Sequence, residues 1–120
     1  MIIKKVNTEE EFQSCINYLD TKKVFPLEGT VLYYCEDTDG SIRGVAGWNR
    51  DTGATIDPFV TESAIRSIEL YKFMEGLILG MGYGHIQVFV KDNEHLTDKL
   101  KRTEGYREVN KDTVSLIKKL

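Results

Sequence analysis

Apolar residues recur at i, i+3, i+4 and i+7 in Phe12, Cys15, Ile16 and Leu19, which predicts an amphipathic helix. Ahead of it, MIIKKV is β-prone, and Thr8-Glu9-Glu10-Glu11 fits a capping box with Thr8 as cap and Glu11 reaching back. That helix ends near Asp20 or Thr21, and Lys22 to Gly29, with Pro26, reads as a connector. The strongest periodicity is later, in Leu70, Phe73, Met74, Leu77, Ile78 and Met81, with Ser63 as a good cap. Followed backwards, the same face meets Arg66, Ser67 and Ser63, so the stripe turns polar at its N-terminal end. Gly76 and Gly80 are expected to let this helix approach a sheet closely, and Gly82 and Gly84 close it.

Between the helices lie three strand-like runs, Thr30 to Glu36, Ser41 to Arg50 and Ala54 to Thr61. Asp39-Gly40 and Asp51-Thr52-Gly53 are turn sequences, so the runs form an antiparallel meander. Pro58 cannot donate to a ladder, so the third run should be unpaired, bulged or at an edge around Asp57 to Phe59. After the long helix, His85 to Val90 reads as a buried strand and Asn93 to Thr103 as a helix anchored by Leu96 and Leu100. Gly105 ends it, and Tyr106 to Val109 and Val114 to Ile117 form a terminal hairpin around Asn110-Lys111-Asp112.

With 120 residues there is room for one core, so residues 1–120 are read as a single domain. Hydrophobic residues at 41% and charged residues at 29% are ordinary for a folded soluble domain. A net charge of −3 argues against a nucleic-acid partner. No run approaches the roughly 18 apolar residues of a membrane span, and the N-terminus lacks a signal-peptide core; a cytoplasmic location without membrane association is expected. Cys15 and Cys35 show no CxxC spacing and read as buried small hydrophobes. His85 and His95 have no third ligand at metal spacing, so no metal is expected.

The order strand, helix, meander, long helix, strand, short helix, terminal strands resembles the GNAT acetyltransferase superfamily. The segment from Gly82, GYGHIQVFVKDNEHLTDKLKRTEGYREV, carries the sharper likeness: a glycine-preceded strand, Asn93 after it, a short helix, and Gly105-Tyr106 before the next strand. The resemblance implies an α/β (α+β) fold with a mixed, mainly antiparallel sheet. It also implies acetyl-CoA as substrate and transfer of its acetyl group to an amine acceptor.

In that family a [Q/R]-x-x-G-x-[G/A] turn from the fourth strand into the central helix holds the coenzyme A pyrophosphate on backbone N–H groups. Arg66 at the first motif position puts Glu69 and Tyr71 where small residues belong; a shift by one puts Ile68 and Leu70 there. The family's tyrosine acid in the following helix is matched only by Leu100 and Lys101. By the resemblance, the cofactor-binding candidates are Phe59, Val60, Ser63, Arg66, Ser67 and Asn93.

For each candidate a plainer reading stands beside the functional one. Asp57 is the candidate general base, or a strand-edge residue before a proline. Ser63, Arg66 and Ser67 bind a phosphate, or form a capped, solvated first turn. Asn93 contacts a cofactor, or opens a helix. Tyr33, Tyr34 and Trp48 read as strand packing rather than a groove lining, and Lys99, Lys101 and Arg102 as a solvated face. Two functions follow: an acetyl-CoA-dependent N-acetyltransferase acting by direct amine attack, or a GNAT-like binding or structural module without acyl-CoA activity, for example in a phage or bacterial assembly. A protein partner or a homo-oligomer fits the second.

Overall fold

The computed structural model describes residues 2–62, 64–89, 94–110 and 115–119; the side chains of residues 64–66, 94–96, 103, 107–110 and 115 lie outside that description. In chain order the elements are β1 (Ile2–Lys5), α1 (Glu9–Thr21), β2 (Val31–Glu36), β3 (Ile42–Trp48), a short 3-10 turn (Arg50–Thr52), β4 (Thr55–Thr61), α2 (Ala64–Gly80), β5 (His85–Phe89), α3 (Glu94–Thr103), β6 (Arg107–Asn110) and β7 (Ser115–Lys119). One seven-stranded sheet runs β1-β2-β3-β4-β5-β7-β6. Among the described residues its only parallel pair is β4 with β5, because α2 crosses over between them. The meander, the helices and the mainly antiparallel sheet match the sequence reading. In the terminal pair the second strand, β7, lies beside β5 and β6 takes the edge.

Helix α1 starts where the capping box placed it. Glu11 N–H donates to Thr8 Oγ1 at 3.1 Å, and Thr8 N–H donates to Glu11 Oε1 at 3.0 Å. Cys15 and Leu19 pack with Leu32, Tyr34 and Val45 on one face of the sheet. Phe12, expected in the same stripe, is exposed, since the stripe only needs to cover β2 and β3.

The larger core lies on the other face, where Leu70, Tyr71, Met74 and Ile78 of α2 meet Ala46, Ile56, Phe59, Ile86, Val88, Leu100 and Leu116. The buried face of α2 is therefore turned from the expected one: Phe73 and Met81 are exposed, and Tyr71 is buried in their place. Tyr71 tolerates burial because its hydroxyl donates to Glu75 and lies 2.9 Å from the Tyr106 hydroxyl. Gly76 and Gly80 do not mediate close packing. A Cβ built on either would meet nothing within 4 Å, so both face open space.

Candidate active site

Strands β4 and β5 are in register only at Thr55↔Gln87 and Ile56↔Val88, with Gln87 N–H bonded to Ala54 O at 2.8 Å. Among the described residues, β4 has no strand partner on that side from Asp57 to Thr61 and stays paired with β3 through Phe59, Val60 and Thr61. Among those residues the sheet parts there. The expected irregularity around Asp57 to Phe59 is present as a register shift: Trp48 pairs with Ile56 and Ala46 with Phe59, so Asp57 and Pro58 together oppose Gly47.

The extra residue decides which peptide groups face the opening. Ala54 and Ile56 lie at the positions turned towards β5; without a shift, Pro58 and Val60 would follow, and Pro58 has no N–H to offer. Beyond the bulge, Glu62 N–H bonds to Arg43 O at 2.9 Å, so in an antiparallel ladder Val60 is the next residue bonded to β3. The peptide groups of Phe59 and Thr61 then point into the opening. Of the two strand candidates, Phe59 presents its N–H there, while the Val60 amide belongs to the β3 ladder.

Asp57 stands where the strands part. It is half-buried, and its carboxylate has no hydrogen bond or ion pair among the described residues. Burial alone pushes its carboxyl above the usual carboxylate range. A carboxylate that loses water without gaining a partner is poised to take a proton or to hold a cation.

Helix α2 begins three residues after β4 ends, so its first turn, with the positive end of the helix dipole, lies at the C-terminal end of the opening. Ser63, Asn93 and the Arg66 side chain lie outside the described residues. Ser67 is fully buried, with its hydroxyl against that of Thr61, so it is turned inwards from the helix end. Glu69 is exposed on the same first turns. In α3, Leu100 is fully buried and Lys101 is exposed, so neither supplies a hydroxyl acid.

Two features have weak signals in the sequence. Gly47 sits inside a strand run, where a glycine marks a close backbone approach, and a Cβ there would lie 2.8 Å from Pro58 Cδ and 2.9 Å from Asp57 O. The other is a polar network beneath the sheet's far half. Lys118 Nζ lies 2.8 Å from Glu75 Oε2, Lys72 Nζ lies 2.8 Å from Glu104 Oε2, and the Tyr71 and Tyr106 rings meet edge to face at 5.8 Å. Burial pushes both tyrosine hydroxyls far above their usual range, so they stay protonated. Its members are spread over α2, the link between α3 and β6, and β7, a set that no local spacing brings together.

Among the described residues no three His, Cys, Asp or Glu come together as metal ligands, and no helix is long and apolar enough to cross a membrane. Cys15 and Cys35 are both buried and unbridged, and burial pushes the Cys15 thiol up to about 12.

No family model and no curated protein matches the chain. Solved structures do. The IAA acetyltransferase from Bacillus cereus ATCC 14579 superposes with a TM-score of 0.69 at 12% identity over 99% of both chains. An acetyltransferase of the GNAT family from Staphylococcus aureus Mu50 gives 0.67 at 10% identity, again over 99% of both. N-acetylglutamate synthase from Neisseria gonorrhoeae, complexed with coenzyme A and N-acetyl-glutamate, gives 0.66 at 10% identity over 100% of this chain and 35% of that one. With its α2 crossover and the parting of β4 from β5, the chain has the fold of the GNAT acetyltransferases.

Proposed function

We propose that the protein transfers an acetyl group from acetyl-CoA to an amine by direct attack. The observation that carries this is the half-buried carboxylate of Asp57, without a partner among the described residues, at the point where β4 leaves β5, beside the outward-facing N–H of Phe59. The structures with the same fold include one complexed with coenzyme A, which supports an acyl-CoA substrate.

Asp57, directly or through a water, accepts a proton from the acceptor ammonium. The freed nitrogen attacks the thioester carbonyl, and the Phe59 N–H donates to the developing oxyanion. Collapse breaks the C–S bond, giving the amide and the coenzyme A thiolate. With no tyrosine in α3, solvent returns the thiolate's proton, and the second proton on nitrogen leaves to solvent. The first turn of α2 offers its N–H groups to the pyrophosphate without glycine, at the disadvantage of the Glu69 carboxylate nearby.

Thermal unfolding with acetyl-CoA tests the substrate, and release of free thiol in the presence of amines tests the transfer. Acetyl-CoA at about 100 times its Kd adds roughly 2.7 kcal/mol, a rise on the order of ten degrees for a domain this size. No rise at millimolar acetyl-CoA would favour the GNAT-like binding module instead.

A further inference from the structure

We infer that the outer side of α2 and the sheet surface beside it form an interface between two copies of this chain. The α2 ridge of each copy sits in the groove of the other, so that Glu69 meets Lys5 twice. This pairing is independent of the acetyl-transfer reading.

Helix α2 packs chiefly over β3 and β4, and the sheet continues past it through β2 to β1. The helix is therefore a ridge, and the same face of β2 and β1 is the floor of a groove beside it. Tyr33 stands on that floor, with its ring 5.3 Å from the ring of Phe73 on the flank of α2. Lys5 is the cross-strand partner of Tyr33, which puts both side chains on one face. Ile3, two residues earlier in β1, shares that face and packs against the same core.

On the ridge, Glu69, Phe73, Gly76 and Gly80 fall at i, i+4, i+7 and i+11, one stripe along the helix. Phe73 is 39% exposed, and a Cβ built on either glycine would meet nothing within 4 Å, so a neighbour can approach the backbone closely. Tyr33 is only 8% exposed, yet its hydroxyl has no hydrogen bond among the described residues. A hydroxyl that has lost water without gaining a partner is costly. Lys5 and Glu69 are both exposed, and neither forms an ion pair among the described residues.

The carboxylate of Glu69 from a second copy would answer the Tyr33 hydroxyl and the Lys5 ammonium together. This one surface carries the cation in its groove and the anion on its ridge. A two-fold axis between the two exchanges them, seating ridge in groove and anion against cation at two equivalent places in a closed, isologous contact. A different protein would have to bring its own ridge and its own anion, whereas this chain already has both.

Analytical ultracentrifugation tests this, and the parent should sediment as a dimer at micromolar concentration. Lys5→Glu alone and Glu69→Lys alone each set like charges face to face at both contacts, and each should weaken the dimer at least tenfold. An equimolar mixture of the two single variants should dimerise again, because each supplies the charge that the other lacks. Gly76→Arg sends a long side chain into open space in one copy, so it should leave the unfolding midpoint in dilute solution unchanged or raised, and abolish the dimer. A parent that stays monomeric at millimolar concentration, single charge variants that dimerise like the parent, a mixture that stays monomeric, or a dimer untouched by Gly76→Arg would overturn the inference.

Discussion

Pro58 Cδ lies 2.8 Å from where a Cβ of Gly47 would sit, so the bulge in β4 and the missing side chain in β3 require one another. The clash includes Asp57 O at 2.9 Å, a backbone atom that cannot swing aside. Gly47→Ala should therefore cost roughly 1–3 kcal/mol, seen as a midpoint lowered by on the order of ten degrees. An unchanged midpoint would mean that β4 can straighten, and the outward turn of Phe59 would go with the bulge.

Asp57→Asn should reduce kcat/KM for acetyl transfer by about a hundredfold or more. Its effect on stability should have the opposite sign. Because burial raises the folded carboxyl's pKa, the folded state holds the proton more tightly than the unfolded chain, whose value is about 3.9. Stability is fullest below that value and falls as pH rises through the folded one. At neutral pH the asparagine variant should thus unfold at a slightly higher temperature than the parent, with a flatter profile from pH 4 upward. A lower midpoint would indicate a partner for the carboxylate.

Glu75 titrates the other way. Burial pushes its carboxyl up, but the bonds from Lys118 and Tyr71 outweigh it and hold the group below its usual range. Its contribution is full above the unfolded value of about 4.3 and is lost as pH falls through the lower folded one. Lys118→Met leaves a largely buried carboxylate without its cation and should cost about 2 kcal/mol at pH 7. Adding Glu75→Gln should recover part of this and blunt the loss of stability in acid; denaturant titrations at pH 7 and pH 3 check both.

Thr8→Ala removes the acceptor for Glu11 N–H and should cost about 1 kcal/mol in the same titration. Glu11 has a second tie, accepting from the Tyr34 hydroxyl at 2.6 Å, which joins the helix start to β2. Glu11→Ala should therefore cost more than Thr8→Ala.

Glu69→Gln removes an exposed charge beside the first turn of α2. If coenzyme A pyrophosphate docks there, its affinity should rise a few-fold at low salt and the gain should fade at high salt, as screening predicts. No change at low ionic strength would move the pyrophosphate away from Glu69.

The sequence by itself determined what short-range rules encode. The capping box at Thr8 and Glu11, the glycine turns of the meander, the periodicity of α2 and the break at Pro58 each depend on residues a few positions apart, and each is present. Only the tertiary structure decided the rest. Which side of α2 is buried depends on Tyr106 and Glu75 being there to receive the Tyr71 hydroxyl, so hydrophobicity alone favoured Phe73. That Gly76 and Gly80 face open space follows from the same turn of the helix. The pairing of Gly47 with the bulge, and the nearness of Thr30 to Pro58, join residues 11 and 28 positions apart. Such contacts arise when strands find their register, and no local pattern carries that register.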